Sequence, residues 1–189
     1  VAERELAREP GSTVIHNLIT SKAVPEIIRE NGGEPVRTRV GHSFIKAKMA
    51  ETNAVFGGEH SAHYYFRDFW RADSGMLAAM HVLAALGQQD KPLSEMMAKY
   101  NRYAASGEIN SRLDSAEAQA DRTEAVAKAF ADRAENVDRL DGVTVELKDD
   151  NWFNVRASNT EPLLRLNVEA DTQEAVDALV KEILAIIRA

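Results

Sequence analysis

Two rhythms of apolar and polar residues divide this 189-residue chain. In the first, short β-branched runs alternate with segments of helical period. Val1 to Arg8 reads as a helix that Pro10-Gly11 stops. Thr13–Leu18 predicts a strand. A helix then begins at Ser21 or Lys22 and runs through Val24, Ile27 and Ile28, until Asn31-Gly32-Gly33 supplies left-handed residues to end it. Pro35–Val40 predicts the next strand, Phe44–Glu51 the next helix, and Ala54–Phe56 a third short strand before Gly57-Gly58. This order predicts an α/β domain with a mostly parallel sheet and crossover helices. After a polar loop, Gly75–Leu86 predicts a helix with Met76, Leu77, Met80, Leu83 and Leu86 along one side. Leu93–Tyr103 predicts the last.

The second rhythm predicts an α+β domain on an antiparallel sheet with two helices. Glu108–Leu113 is a candidate strand, and Asp121 with Glu124 resembles a capping box opening a helix through Val126, Phe130 and Ala134. Val143–Leu147 and Trp152–Val155 predict strands joined at Asp149-Asp150-Asn151, and Leu163–Ala170 alternates well enough for another. Asp171 with Glu174 predicts the cap of a final helix striped by Val176, Leu179, Val180, Ile183 and Ile187. The polar, alanine-rich stretch Ala104–Ala120 joins the halves, giving domains over 1–105 and 106–189. No internal repeat is visible.

Charge sharpens this division. Residues 1–105 hold 13 Lys/Arg against 12 Asp/Glu, whereas residues 106–189 carry a net −8 of the chain's −7. An acidic second half argues against nucleic-acid binding, which needs a basic footprint. It leaves a phosphate ligand open, because a dianion responds to a few local donors more than to distant screened charge. The absence of cysteine excludes disulfides and thiolate chemistry and fits a cytoplasmic protein. No apolar run approaches the roughly 18 residues of a membrane helix. The chain opens at Val1 inside a helix and without Met, so a piece of a longer polypeptide is expected.

Three turns carry candidate chemistry. Arg156-Ala157-Ser158-Asn159-Thr160-Glu161-Pro162 lies between two strands. Its forked guanidinium, hydroxyls and amide suit a phosphate, although an ordinary polar hairpin has the same composition. Gly57-Gly58-Glu59-His60-Ser61-Ala62-His63 follows a strand. If it stays extended, Glu59, Ser61 and His63 point to one side and can serve sugar hydroxyls. Glu59, His60 and His63 are also capable metal ligands, but the spacing is not the helical H-E-x-x-H pattern. A solvated polar loop is the third reading. Thr38-Arg39-Val40-Gly41-His42-Ser43 ends a strand and opens a helix, where ligands sit in open α/β sheets, and His42 can titrate near neutrality. Met76, Met80, Met96 and Met97 read as core filler, His16 and His81 as structural, and Tyr64 to Trp70 as packing for a long loop.

Taken in order, Val40-Gly41-His42-Ser43-Phe44-Ile45-Lys46, Gly58-Glu59-His60-Ser61-Ala62-His63 and Arg156 to Pro162 resemble the α-D-phosphohexomutase superfamily, and within it the phosphomannomutase/phosphoglucomutase branch. The resemblance spans the chain. It implies most of the third domain of four, without its first strand and metal loop, and the whole fourth, a TATA-binding-protein-like α+β domain. Such enzymes are isomerases of carbohydrate metabolism that interconvert hexose 1-phosphate and 6-phosphate through a bisphosphorylated sugar. A phosphoserine and a magnesium ion, the latter held in an Asp-Gly-Asp loop, serve the transfer.

Carried onto this chain, the resemblance implies that Glu59, Ser61 and His63 contact the sugar. It places His42 near the reacting end of the ligand, and Arg156, Ser158, Asn159 and Thr160 clamp the phosphate that is not transferred. Mg2+ and a hexose 1,6-bisphosphate are the implied cofactors, and the remaining domains of the same polypeptide the implied partner, with neither nucleic acid nor membrane. Neither the serine motif nor the Asp-Gly-Asp loop occurs in these residues, so the chain alone should not catalyse. Ala62 replaces a usual glycine, the position of a ligand-contacting lysine falls on Ile19 with Lys22 nearby, and the side of the strand that Arg165 takes is open. A phosphoglucosamine mutase and a non-catalytic phosphosugar-binding module are the alternatives.

Overall fold

The computed structural model describes residues 1–158 and 161–189. It divides into two compact units, Val1–Arg102 and Tyr103–Ala189.

The first unit runs α1 (Ala2–Arg8), β1 (Thr13–Asn17), α2 (Ala23–Glu30), β2 (Glu34–Thr38), α3 (His42–Thr52), β3 (Phe56–Gly58), β4 (Tyr64–Phe66), β5 (Ala72–Asp73), α4 (Gly75–Leu86) and α5 (Leu93–Ala98). The strand order is β2-β1-β3-β4-β5. β1 pairs in parallel with both β2 and β3, while β4 and β5 add antiparallel. The sheet is therefore mixed: its parallel half is the one expected from the strand–helix–strand pattern, and its antiparallel half lies in the segment read as a loop.

Alternation along each strand decides which face a residue buries. Val14, Phe56 and Phe66 join Leu6, Ile28 and Ala78 in one core beneath α1, α2 and α4. Ile15 and Tyr65 turn the other way, onto Ile45 and Met49 of α3. Helices thus cover both faces. Gly33 permits the close fit of α1, since a Cβ there would meet Leu6 Cδ2 at 2.6 Å.

Several elements depart from their expected limits. The third strand is Phe56–Gly58 rather than Ala54–Phe56, because the glycines take the ladder bonds with Tyr64 and Tyr65. The last helix stops at Ala98. Met76 and Met80 of α4 are not core filler: they are 75% and 58% exposed, with Leu83 beside them, and Ala78 is the residue α4 buries. Among the described residues no helix is long and apolar enough to cross a membrane.

The second unit runs β6 (Ala104–Ala105), β7 (Ile109–Arg112), α6 (Ala116–Ala129), β8 (Ala134–Asp138), β9 (Val143–Leu147), β10 (Trp152–Ala157), β11 (Leu163–Ala170) and α7 (Gln173–Ile187). Its sheet is antiparallel throughout, ordered β6-β11-β10-β9-β8, with β7 also on β11. Phe153, Val155, Leu164, Leu166 and Val168 bury one face against Val126 and Phe130 of α6 and Val176, Leu179 and Ile183 of α7.

Here too some expectations give way. The candidate strand Glu108–Leu113 is present as β7, but the stretch Ala104–Ala120 is more than a joining segment, since β6 and the first turn of α6 also lie in it. α6 opens six residues before the Asp121 capping box, at Ser115, whose Oγ accepts from Ala118 N–H at 3.0 Å. α7 is capped by Thr172 rather than Asp171, with Thr172 Oγ1 accepting from Ala175 N–H. Ala134 does not continue α6 but starts β8, an edge strand.

Candidate functional site

In the first unit, the C-terminal ends of three parallel strands meet at one edge of the sheet. β1 ends at Asn17, β2 leads through Gly41 into α3, and β3 leads into Glu59. β4 runs antiparallel to β3, so His63 before it returns to the same edge, and so does Asp73 at the end of β5. Open α/β sheets collect ligands at such an edge.

Glu59 is the anchor. It is 6% exposed, and its carboxylate accepts from Gly41 N–H at 3.0 Å and Asn17 Nδ2 at 3.5 Å through Oε1, and from the Tyr65 hydroxyl at 2.7 Å through Oε2. The segment 59–63 is therefore not extended. It folds on itself, with Glu59 N–H donating to His63 C=O and Ala62 N–H to Glu59 C=O. That turn sets Ala62 at φ +63°, a left-handed conformation alanine adopts at a cost. Glu59 lies beneath the loop, while His60 and Ser61 are exposed upon it.

Tyr65, fully buried, also lies 2.7 Å from His42 Nδ1. Its single hydroxyl hydrogen goes to the carboxylate, so the phenol oxygen must accept from His42. The hydrogen of a neutral His42 then sits on Nδ1, leaving Nε2 as an acceptor or base. Burial, reinforced by the Glu59 carboxylate, holds the Tyr65 phenol far above its ordinary pKa, which keeps this link protonated.

Asp73 plays the corresponding part for His63. Its Oδ2 lies 2.7 Å from His63 Nδ1, and its Oδ1 accepts from Tyr64 N–H at 2.8 Å. Burial works to raise the Asp73 pKa, but the hydrogen bonds from His63 and Tyr64 outweigh it and hold the carboxyl below its ordinary value. The His42 and His63 rings meet edge to face, with centroids 4.3 Å apart.

In the second unit, the face of the sheet opposite the helices is built of polar cross-strand pairs. Trp152 sits opposite Glu169, Asn154 opposite Asn167, and Arg156 opposite Arg165. Directly opposed residues share a face, so Arg165 takes the same side as Arg156. Glu108, between β6 and β7, joins the two: Arg156 Nη2 donates to its Oε2, and Arg165 Nη1 lies near its Oε1, each at 3.3 Å. Arg165 also donates to Glu161 at 2.9 Å.

Arg156 is 3% exposed. Burial pulls its pKa below the ordinary guanidinium value, against the opposing pull of Glu108 and Asp141. Its Nε–H and that of Arg165 are buried without a partner among the described residues. Two neighbouring guanidiniums with unspent donors can receive an anion. Ser158 lies in the turn that follows, where its N–H donates to Leu163 C=O and its Oγ accepts from Glu161 N–H. Asn159 and Thr160 lie outside the described residues.

Sequence reasoning passed over Tyr65, Asp73 and Glu108. Tyr65 and Asp73 belong to strands that carry no alternation, and Glu108 stands at the start of a candidate strand with no sequence signal that it meets Arg156. A signal for the second site was present in the matched alternation Trp152-x-Asn154-x-Arg156 and Arg165-x-Asn167-x-Glu169. Ile19 is buried in the core, and Lys22 stands at the N-cap position of α2.

The chain is thus a two-unit α/β protein with a histidine–carboxylate edge in one unit and an arginine-lined antiparallel face in the other. Comparison with known proteins specifies the family. Residues 1–103 match the model of phosphoglucomutase/phosphomannomutase alpha/beta/alpha domain III, and residues 108–186 that of the C-terminal domain.

A phosphomannomutase of Methanocaldococcus jannaschii is 40% identical over 187 residues, covering 99% of this chain and 40% of that protein. A crystal structure of a phosphoglucomutase/phosphomannomutase family protein from Burkholderia thailandensis superposes with a TM-score of 0.81 at 30% identity, over 99% of this chain and 40% of that one. The fold alone is shared with Aspergillus fumigatus N-acetylphosphoglucosamine mutase, solved with GlcNAc-6P and magnesium, at a TM-score of 0.65 and 13% identity over 100% of this chain and 45% of that one. The chain belongs to the phosphoglucomutase/phosphomannomutase family and matches its C-terminal part. It spans about two fifths of the length of the curated relatives it matches.

Proposed function

We propose that this chain is the sugar- and phosphate-recognising part of a phosphohexomutase that interconverts hexose 1-phosphate and 6-phosphate through a bisphosphorylated sugar. The observation that carries the reading is the Arg156–Arg165 pair. Two guanidiniums share one face and one counter-ion, Glu108, and each keeps a buried donor without a partner among the described residues. On this reading Arg156, Ser158, Asn159 and Thr160, with Arg165, hold the phosphate that is not transferred. Ser61 and His63 then meet the ring hydroxyls, Glu59 shapes their loop, and His42 stands near the reacting end.

The division of labour follows from the chemistry. A sugar that presents first one end and then the other to the same nucleophile needs one fixed anion clamp and ring contacts that tolerate both orientations. The phosphate-donating serine and the magnesium loop are supplied outside these 189 residues, and the protein works in the cytoplasm. Mg2+ takes oxygen ligands in an octahedron. Among the described residues the group able to hold an ion is His42, His63 and Asp73, two of whose three donors are nitrogen. That set does not fit Mg2+, so no step here runs through it.

The test is a titration of the chain with mannose 1-phosphate followed by 1H–15N spectra. The expected result is weak, saturable shifts in β10, β11 and residues 59–63. A charge-assisted hydrogen bond contributes about 1.5–3 kcal/mol, so Arg156→Ala should weaken binding roughly tenfold to a hundredfold. Absence of shifts in both regions, or unchanged affinity in Arg156→Ala, overturns the proposal.

A further inference from the structure

We infer that His42, His63 and Asp73 form a binding site for a borderline transition-metal dication of the Zn2+ type, separate from any magnesium chemistry. One donor atom from each residue lies within 4.8 Å of the other two. A tetrahedral ion about 2.1 Å from each donor holds its donors about 3.4 Å apart, so closure needs a shift of up to about 1.4 Å. His42 and Asp73 are exposed and His63 is half-buried, which gives their side chains that freedom.

The supporting contacts are those of a site held ready. Metal-binding imidazoles are ordinarily fixed through their other nitrogen, and metal-binding carboxylates through their other oxygen. His42 is fixed through Nδ1 by Tyr65, which is fixed in turn by Glu59. Asp73 is fixed through Oδ1 by Tyr64 N–H, leaving Oδ2 to the cluster. Two imidazoles and one carboxylate make three of the four ligands of a tetrahedral zinc, with the fourth place left for water. The ion takes the place of the hydrogen between His63 Nδ1 and Asp73 Oδ2, and the neutral imidazole keeps its one hydrogen by carrying it on Nε2 instead. His60, though adjacent in sequence, is outside the cluster. An ion here engages His42 and His63. If the phosphosugar reading above holds, it therefore competes with the ring and not with the phosphate.

The experiment titrates the 189-residue chain with Zn2+ in excess Mg2+ by calorimetry. Expected are a single site, a loss of affinity beyond a hundredfold in Asp73→Asn and His63→Ala, about tenfold in Tyr65→Phe, and no change in His60→Ala. Unchanged affinity in a folded Asp73→Asn, or an equal loss in His60→Ala, overturns the site. Asp73→Asn decides if His63→Ala does not fold, because it keeps the shape of an exposed side chain. Saturating zinc should then abolish mannose 1-phosphate shifts at residues 59–63 and leave those at Arg156. Shifts at 59–63 that persist in saturating zinc overturn the inference. A phosphosugar that shifts nothing even without zinc overturns only the reading above, since the zinc titration stands by itself.

Discussion

Tyr65 and Glu59 are joined by a 2.7 Å hydrogen bond at the floor of the histidine cluster, and both are buried. The same phenol oxygen receives His42, so one side chain holds a carboxylate and an imidazole in register. Tyr65→Phe removes the donor while keeping the ring that packs on Ile45 and Met49. A buried acceptor left without its partner costs about 1–3 kcal/mol. Urea unfolding should show a loss of that size, and 15N spectra of His42 should show its hydrogen no longer confined to Nδ1. A variant with wild-type stability and an unchanged His42 tautomer would contradict the arrangement.

Ala62 offers a prediction of opposite sign. At φ +63° its Cβ is disfavoured, and glycine occupies that region freely. Ala62→Gly trades the strain for greater freedom of the unfolded chain. The expected net gain is about 0.5–1 kcal/mol, read as a raised denaturation midpoint at constant slope. A lowered midpoint would show that the turn is not strained.

How much of this was legible in the sequence varies from element to element. The helical stripe of Val176, Leu179 and Ile183 and the alternation of Leu164, Leu166 and Val168 announced both the elements and their common core, because each buries a single face. β4 announced nothing. Tyr65 and Phe66 are buried on opposite faces, so three aromatics in a row give no period. β8 was hidden for the opposite reason: Glu135 and Asn136 are exposed on an edge strand, and no apolar alternation marks it. The candidate residues were visible as polar turns after strands. Their supports were not, because Asp73 and Glu108 reach those turns only through strand pairing.

His16 predicts a pH dependence. It is buried on β1, where its Nδ1 lies 2.9 Å from Thr20 Oγ1 and 3.1 Å from Asn17 C=O. Burial, above all, lowers its pKa to about 4 from an ordinary 6.5. The folded form therefore holds the neutral ring, while the unfolded chain takes a proton below pH 6.5. Its contribution is complete above that value and is lost as the pH falls toward 4, by up to about 3 kcal/mol. Unfolding free energies at pH 7.5 and 5 should differ more for wild type than for His16→Asn, which keeps a donor near the Nδ1 position and cannot titrate. Equal differences would place the acid sensitivity elsewhere.

Gly142 ties backbone geometry to the arginine pair. It sits in the turn from β8 to β9 at φ +68°, and a Cβ there would lie 2.2 Å from Val155 O and 2.6 Å from Arg156 Cα. Both obstacles are main chain, so the clash is relieved only by pushing β10 away from the turn. Conformational strain and overpacking each cost on the order of 1–3 kcal/mol, and Gly142→Ala should lose roughly their sum. The displaced segment carries Arg156, whose partner Glu108 lies on a different strand connection and would not follow. The variant should therefore lose phosphosugar affinity even where it remains folded, with shifts that spread from Val155 and Arg156 rather than from residues 59–63. A folded Gly142→Ala protein of wild-type stability would show that the turn can yield without moving β10.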